Sequence, residues 1–240
     1  MKITFLGTRG GIVARNALHQ YHTVTFISYR GIRVAIDCGL DWLGHMNTIR
    51  PDAIVITHAH EDHIGGLRDG APCPVYAAHT SWKQLKNFPI GDKIVIKYRK
   101  PFTIGKLVFE AFFVKHSFHA PAVGYRITAG STTIFCVHDL LAIKNRAAAL
   151  HNVHLYIGDG ASLTRPIIRY RNTIPFGHTS IENQLKWCKT AHIPHAIFTH
   201  CGSHIVKKNA PTSNKNVADL GLLYGIDASI AHDGLTITLS

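Results

Sequence analysis

Acidic residues are scarce in this sequence. Against 26 Lys and Arg side chains the 240-residue chain carries only 14 Asp and Glu, which gives a formal net charge of +12 and a pI near 9.7. A positive field attracts anions, so this excess favours a polyanionic partner or a phosphorylated substrate, although an ordinary basic surface has the same composition. The basic residues are dispersed, and the densest run is KIVIKYRK at residues 93–100.

Long apolar runs are also missing. The longest, such as AIVIT at 53–57 and TIFCV at 133–137, are far shorter than the ~20 residues that cross a bilayer, so we expect no membrane span. The N-terminal MKITFLGTRGG enters a strand-like alternation directly, without the apolar core of roughly 7 to 15 residues that a secretory signal needs. We therefore expect a cytoplasmic protein.

The five cysteines show no pairing pattern. Their number is odd and CxxC spacing is absent, which argues against a disulfide framework and against a structural zinc knuckle. We expect them to be reduced and mostly buried. With 46% hydrophobic residues and a mean hydropathy of +0.06, the chain can bury a sizeable core.

Strand-like and helical segments alternate along the whole chain. Apolar runs bounded by Gly, Pro or Asp predict strands at 2–6, 22–29, 33–36, 53–57, 93–98, 107–114, 123–128, 133–137, 153–157, 196–199, 226–231 and 235–239. Apolar periodicity predicts a helix in SIENQLKWCKTAHI, with Ser180 as N-cap, and shorter helices near 62–69, 79–87, 140–150 and 212–223. Two packed sheets with helices outside, in one domain of residues 1–240, fit this order.

One turn, THAHEDHIGG at residues 57–66, concentrates metal-ligand chemistry. His58 and His60 lie two apart just past a buried strand, where an extended backbone aims both side chains the same way. Asp62 and His63 follow where the chain turns into a helix, which aims them at a neighbouring point. Two adjacent ligand sets indicate two divalent metal ions. Imidazole and carboxylate ligands suit Zn²⁺, and also manganese or iron.

This arrangement resembles the HxHxDH motif of the metallo-β-lactamase superfamily, and the resemblance extends through nearly the whole chain. It implies a four-layer αββα sandwich of two mixed β-sheets flanked by helices. It also implies further ligands: His116 in KHSFHAPAVGYRI, with His119 as the competing residue, Asp139 at the end of IFCVHD, and His200 in AIFTHCGSH, with His204 as a bystander.

The resemblance distributes seven ligands over two metals: His58, His60 and His116 on the first, Asp62, His63 and His200 on the second, and Asp139 bridging both. Asp37, in VAIDCG, matches the early aspartate of the family, which orders the HxHxDH loop from behind the ligands. As a bare sequence feature, Asp37 would be an ordinary turn aspartate.

The segment PFGHTSIENQLKWC narrows the reaction, because it is similar to the histidine motif of the tRNase Z family. By that likeness His178 would protonate a leaving alkoxide or hold a phosphate oxygen, while Thr179, Ser180 and the helix N-terminus would favour an anion. A plainer interpretation leaves Thr179 and Ser180 as helix caps and His178 exposed. The glutamate that orients this histidine in tRNase Z enzymes is replaced by Asp159, in YIGDGASL. The candidate catalytic residues are thus Asp62, His178 and Asp159.

Two departures from the resembling enzymes limit the substrate. Only 22 residues separate His116 from Asp139, which leaves no room for the long arm with which many tRNase Z enzymes bind tRNA. The chain also has no space for the β-CASP domain that RNase J enzymes insert after the equivalent of Asp139. The expected reaction is hydrolysis, by a metal-activated hydroxide, of phosphodiesters in RNA, single-stranded DNA or a smaller nucleotide.

Competing interpretations share part of this pattern. A glyoxalase II-like thioester or lactone hydrolase has the HxHxDH core but usually adds a helical C-terminal region, whereas this chain ends in strands. A secreted β-lactamase would need a signal peptide, and a flavodiiron oxidoreductase usually has Glu in place of His60. A noncatalytic nucleic-acid-binding module would tend to lose ligands, yet all seven positions are filled. A homodimer is expected only by analogy with related nucleases.

Overall fold

The computed structural model of the protein describes residues 1–208 and 210–239. Its strands are β1 (Lys2–Gly7), β2 (Val24–Tyr29), β3 (Ile32–Ile36), β4 (Ala53–Val55), β5 (Val75–Ala78), β6 (Lys93–Ile96), β7 (Phe102–Ile104), β8 (Leu107–Lys115), β9 (Ala122–Ala129), β10 (Thr132–Cys136), β11 (Ala142–Ile143), β12 (Leu155–Asp159), β13 (Ile167–Arg171), β14 (Ile174–His178), β15 (His195–Thr199), β16 (Asp227–Ile230) and β17 (Thr236–Thr238). Its α-helices are α1 (Met46–Ile49), α2 (Glu61–Ile64), α3 (His79–Gln84), α4 (Arg146–Leu150), α5 (Ile181–Thr190), α6 (Ser203–Val206) and α7 (Ala210–Tyr224).

Two mixed sheets form the centre of the molecule. The first has seven strands in the order β17-β1-β2-β3-β4-β5-β6, antiparallel as far as β3 and parallel from β3 to β6. The second has eight strands, β11-β8-β9-β10-β12-β15-β16 with β7 beside β8, and is parallel from β10 onward. Parallel neighbours need long crossover connections, and these supply the helices on the outer faces.

Three apolar clusters hold these layers together. Between the sheets lie alternate residues of both, among them the fully buried Phe5, Ile36, Phe109 and Tyr125. A second cluster packs the outer face of the second sheet against α5 and α7, and a third packs the outer face of the first sheet against α1, α2 and α3. Each fully buried large side chain contributes roughly 1.5–3 kcal/mol by leaving water. The order helix, sheet, sheet, helix confirms the predicted αββα sandwich.

Most predicted elements are present with shifted ends. The strand predicted at 22–29 begins at Val24, and its register with β1 is interrupted between Phe5 and Gly7. The strand predicted at 153–157 is β12, two residues later. The helix predicted at 62–69 is α2 followed by a 3₁₀ turn over Gly65–Leu67, so it is shorter than expected as a regular helix.

The helix predicted at 140–150 is wrong in its first half. Residues Ala142–Ile143 form β11, which extends the second sheet beside β8. Leu141 donates its backbone N–H to Lys115 at 2.6 Å, and Asn145 then takes a left-handed conformation with φ of 57°. An L-residue in that conformation cannot continue a right-handed helix, so α4 begins only at Arg146.

The predictions missed β5, β7, α1 and α6 and, more consequentially, the hairpin of β13 and β14. These two strands pair with each other in a separate two-stranded sheet, at 167–178, just ahead of α5. Four of the five cysteines are buried as predicted, and Cys73 is half-buried. Among the described residues, the structure shows no helix with both the length and the hydropathy needed to cross a membrane.

Candidate metal centre

The predicted ligands meet at one edge of the sandwich, where strands of both sheets end. His58 and His60 follow β4 of the first sheet, while His116, Asp139 and His200 follow β8, β10 and β15 of the second. Side chains beyond the carboxyl ends of neighbouring strands converge, and ligands of α/β folds usually bind in such a crevice. Segments far apart in the sequence therefore contribute to one site.

Three histidines make the first group. The Nε2 atom of His58 lies 2.9 Å from Nδ1 of His60, and Nε2 of His116 lies 3.3 Å from the same Nδ1. His58 is fully buried and His116 nearly so. The competing residue His119 is exposed and turned toward Arg171, at 3.4 Å. The structure thus brings His116, and not His119, to the two histidines of the turn.

The second group is Asp62, His63 and His200. The Oδ2 atom of Asp62 lies 3.1 Å from Nε2 of His200 and 3.4 Å from Nε2 of His63, and the two imidazole nitrogens are 3.3 Å apart. Asp139 lies between the two groups. Its Oδ2 atom is 3.3 Å from Nε2 of His58 and 2.7 Å from Nε2 of His63, so one carboxylate faces both groups.

The donor set fits a pair of divalent cations. Tetrahedral Zn²⁺ with bonds of about 2.0–2.1 Å places its ligand atoms roughly 3.3 Å apart, close to the spacing of the imidazole nitrogens here. The buried atom Asp139 Oδ1 has no hydrogen bond of good geometry among the described residues. Because an unpartnered buried polar atom is costly, a bound cation would satisfy a need that the protein leaves open.

Asp37 orders this cluster through hydrogen bonds that its carboxylate accepts. Its carboxylate is fully buried and accepts hydrogen bonds from Thr57 Oγ1 and His63 Nδ1, both at 2.7 Å, and from His138 Nδ1 at 2.6 Å. It also accepts the backbone N–H of Thr57 at 2.7 Å, which fixes the start of the histidine turn. Burial alone would raise the pKa of Asp37, but His63 and the hydrogen bonds from His138 and His63 lower it to about 2.

Contacts at Nδ1 set which ring nitrogen His63, His116 and His58 present to the cluster. Since the Asp37 carboxylate can only accept, His63 donates from Nδ1 and keeps Nε2 free for a cation. His116 donates in the same way from Nδ1 to the backbone carbonyl of Gly177, at 3.1 Å. Thr57 Oγ1 lies 3.0 Å from Nδ1 of His58. The free nitrogens all face the cluster.

The histidines of the two groups differ in the direction of their pKa shifts. Burial lowers the pKa in both groups, and nearby carboxylates reverse the effect in the second. Burial lowers the pKa of His58 well below its usual value and that of His60 to about 4, so both rings are neutral, which is the ligating form. For His63, burial acts in the same direction, but Asp62, Asp37 and Asp139 outweigh it and raise the pKa well above 6.5. That excess of negative charge suits a bound cation.

His178 and Asp159 form a pair at the edge of the cluster. His178 donates from Nδ1 to Asp159 Oδ2 at 2.7 Å, and the same nitrogen lies 3.3 Å from Asp139 Oδ1. Burial would lower the pKa of His178, but the Asp159 carboxylate raises it. The shorter aspartate therefore reaches the ring despite standing where the resembling enzymes have glutamate. Asp159 is itself fixed by the backbone N–H of Leu140 and of Ala161.

The N-terminus of α5 is used for capping. Ser180 Oγ accepts the backbone N–H of Asn183 at 3.2 Å, and Thr179 Oγ1 accepts from the Asn183 side chain at 3.3 Å. Both hydroxyl-bearing residues are buried. The plainer interpretation as a helix cap therefore agrees with the structure for Ser180, whereas the Thr179 hydroxyl binds only a side-chain amide of the helix. His178 keeps 21% of its side chain exposed, inside the pocket.

A pocket of about 560 Å³ opens over the cluster, large enough for a nucleotide-sized group. Its wall contains His60, Asp62, His116, Asp139, His178 and His200, and the bystander His204 lies at its rim. Its mouth is bordered by the N-terminal loop, by Gly202–His204, and by the hairpin residues Ile167, Arg169, Phe176 and Gly177.

Sequence reasoning missed several residues of this site. A Cβ atom on Gly10 would lie 2.9 Å from the His200 ring, and one on Gly11 would lie 2.9 Å from Asp62 Oδ2. The TRGG turn therefore has no room for a side chain at either position. The adjacent glycines were the sequence feature that could have identified this turn as part of the site. His138 binds Asp37 and lies 2.9 Å from Thr25 Oγ1, but nothing in its local sequence distinguishes it from a packing residue.

Known proteins resemble this chain in both sequence and fold. The family model described as a beta-lactamase superfamily domain matches residues 32–201. A ribonuclease Z from Metallosphaera sedula is 33% identical over 72 residues, which cover 28% of this chain and 23% of that protein. The matched stretch therefore spans less than a quarter of this curated relative.

Solved structures extend the likeness to the whole chain. The Zn²⁺-bound PqqB from Methylobacterium extorquens aligns over 100% of both chains, with a TM-score of 0.77 and 14% identity. A diphosphatase of the PhnP family aligns over 100% of this chain and 98% of its own, with a TM-score of 0.74 and 19% identity. At such identities the likeness shows a shared fold.

Proposed function

Since the chain belongs to the beta-lactamase superfamily, we propose that it is a metal-dependent hydrolase that cleaves phosphodiester bonds. Residues 32–201 carry the match to that family, and all seven proposed ligands lie within them. Its substrates would be nucleic acid or smaller phosphorylated compounds. The formal net charge of +12 and the likeness to a ribonuclease Z and a diphosphatase support this class of substrate.

The proposed cofactors are two divalent ions, Zn²⁺ in preference to manganese or iron. The first would be held by His58, His60 and His116, the second by Asp62, His63 and His200, with Asp139 shared. When bound, such ions supply a Lewis acid that polarises a phosphoryl oxygen and makes water a nucleophile at neutral pH. The close grouping of imidazole nitrogens and carboxylate oxygens supports this assignment.

Each side chain of the site then has a definite task. Asp139 keeps the two groups of ligands at a fixed separation, because its carboxylate contacts both. Asp62 contacts His63 and His200 and borders the pocket, where an attacking water would enter. His178 carries a proton that it can give to the leaving oxygen, and Asp159 holds the ring in place for that transfer.

The hydrogen bond from His178 to Asp159 is the observation that carries the proposal. A histidine held by a carboxylate at the pocket wall, beside a shared metal carboxylate, is suited to protonate a poor leaving group such as a nucleoside alkoxide. Thioesters have the same requirement for activated water, but their thiolate leaving group needs no acid.

Turnover of bis-nitrophenyl phosphate tests the proposal. Protein loaded in turn with zinc, manganese or iron should hydrolyse it, and Asp139→Ala should abolish turnover. The exposed Asp92→Ala is the matched control, which should keep it. Turnover of thioesters or lactones in the absence of any phosphodiesterase activity would contradict the proposal and favour a glyoxalase II-like hydrolase.

A further inference from the structure

The hairpin of β13 and β14 stands out from the sandwich beside the pocket. Every residue of β13 is exposed, and its two strands pair only with each other. Arg171 pairs with Ile174, so the turn has two residues, Asn172 and Thr173, both with positive φ as a type I′ turn requires. Tyr170, next to the turn, has 68% of its surface exposed.

One face of the hairpin continues the wall of the active-site pocket. The cross-strand pairs are Ile167 with His178, Arg169 with Phe176, and Arg171 with Ile174. Because directly opposed residues share a face of a two-stranded sheet, these pairs form one row that starts at His178 and runs outward. Ile167, Arg169, Phe176 and His178 all line the pocket. Arg169 therefore lies one step farther out than the histidine.

The row carries two arginines, Arg169 and Arg171, and a third, Arg165, lies in the loop before β13. Arg165, Arg169 and Arg171 fall between Asp159 and Glu182, a stretch without any acidic residue. Arg171 approaches the ring of His119 at 3.4 Å, and in the described part of the chain none of the three arginines has a carboxylate partner. An unpaired guanidinium at the mouth of an active-site pocket is suited to bind a phosphate with two parallel N–H donors.

The base of the hairpin is fixed to the metal centre. The backbone N–H of Gly177 donates to the carbonyl of His116 at 2.7 Å, and the Gly177 carbonyl accepts from the His116 ring at 3.1 Å. Farther out, the rings of Phe118 and Phe176 pack edge to face with centroids 5.3 Å apart. These contacts fix the backbone position of Arg169 relative to the cluster, which lowers the cost of binding a ligand there.

We propose that Arg169 binds a second phosphate group of the substrate, next to the phosphate that is cleaved, with Arg171 extending the same positive row outward. This inference rests on the proposed phosphodiesterase function and adds a preference: compounds with two neighbouring phosphates are better substrates than compounds with one. The second phosphate belongs either to the next linkage of a single-stranded nucleic acid or to a small compound with two phosphates.

A matched pair of substrates isolates this site. The nitrophenyl phosphate ester of thymidine carries one phosphate, and the same ester with a further phosphate on the other hydroxyl carries two. Both positional isomers are measured. We expect kcat/KM of the metal-loaded wild type to be about tenfold higher with the second phosphate, as a charged hydrogen bond allows. Arg169→Gln should remove this preference, and Arg169→Lys should keep part of it.

Lys106→Gln is the charge-matched control. Lys106 is exposed at the start of β8, the end opposite His116, so its loss should leave the preference unchanged. An equal kcat/KM for the paired esters in both isomers, or a preference that survives in Arg169→Gln, would overturn the inference. Failure to hydrolyse any of these esters would instead overturn the proposed function.

Competition and direct binding identify the source of the second phosphate. Inhibition by a short oligothymidylate and by inorganic pyrophosphate is measured for the wild type and Arg169→Gln. The compound whose inhibition weakens about tenfold in the variant is of the class that supplies the phosphate. Fluorescence anisotropy with a labelled oligothymidylate gives a readout without turnover, in which loss of one contact should reduce the salt slope by about 0.7. Unchanged inhibition by both compounds would overturn the inference.

Discussion

Single residues of the site could be predicted where their chemistry is local. His58, His60, Asp62 and His63 lie in one turn, so their spacing alone indicated converging ligands. His116, Asp139 and His200 followed only from the resemblance to a known family, because no local pattern relates them. His138 could not be predicted, since its importance lies in a 2.6 Å contact with Asp37 across 101 positions of the chain.

The proton-donating role of His178 leads to a prediction about leaving groups. His178→Gln should retain both metals, because the proposed ligands are other residues. Turnover should fall by about 10²- to 10⁴-fold on an alkoxide leaving group and much less on nitrophenolate, which departs without a proton. Steady-state kinetics on both classes of ester measure this. The exposed His119→Gln is the control, and equal losses on the two leaving groups would argue against a general acid.

Asp37 leads to a prediction about metal affinity. Asp37→Asn keeps the shape of the side chain but removes the charge that holds His63 and His138. We expect zinc affinity to fall about 10- to 100-fold, as for other partners of metal-bound histidines. Competition with a chromogenic chelator gives the affinity, and circular dichroism verifies folding. Asp69→Asn, an exposed site, serves for comparison. Unchanged affinity in Asp37→Asn would show that the carboxylate has no part in ordering the ligands.

Among the elements, those with a buried face were the most predictable. The alternation in 107–114 and the apolar run in 133–137 correspond to β8 and β10, which lie in the centre of the second sheet. The hairpin of β13 and β14 was missed because neither strand is buried, so its sequence has no clear alternation of apolar and polar residues. The first half of the predicted helix at 140–150 failed because pairing with β8 overrides its helical pattern.

The variant Gly177→Ala tests how strongly the stability of the protein depends on the backbone conformation at the base of the hairpin. Its φ is 121°, and an added Cβ would lie 2.1 Å from the carbonyl oxygen of Ile167. Gly177→Ala should therefore lower the free energy of unfolding by about 1–3 kcal/mol and displace the hairpin from His116. Urea denaturation measures the stability. Gly91→Ala, where a Cβ meets nothing within 4 Å, should change it little. Equal stability of the two variants would contradict the described backbone geometry.

The whole molecule combines apolar core clusters with a strongly basic overall composition. KIVIKYRK, the densest basic run in the sequence, spans the edge strand β6 of the first sheet and the turn that follows it. The overall sandwich was predictable because its layers follow from the order of strands and helices. The surface distribution of charge was not, since it depends on which strands become edges. The assignment of residues 1–240 to one domain and the homodimer stay predictions.

The charge excess predicts salt-dependent binding of nucleic acid. Affinity for a single-stranded oligonucleotide should fall steadily between low and moderate salt, because each phosphate contact releases counterions and contributes about −0.7 to the slope of log K against log salt. Anisotropy titrations over a salt series measure the slope. A neutral-backbone oligonucleotide of the same sequence is the control. An affinity that stays flat would show that the basic surface does not take part in binding.

The central claim is that two metal ions act together in one hydrolytic site. Its most direct test is a titration of metal-free protein with zinc, in which bound metal per chain and turnover of bis-nitrophenyl phosphate are measured on the same samples. We expect turnover to rise until two ions are bound per chain and then to stay constant. Full turnover with one ion per chain, or turnover that does not depend on bound metal, would contradict it.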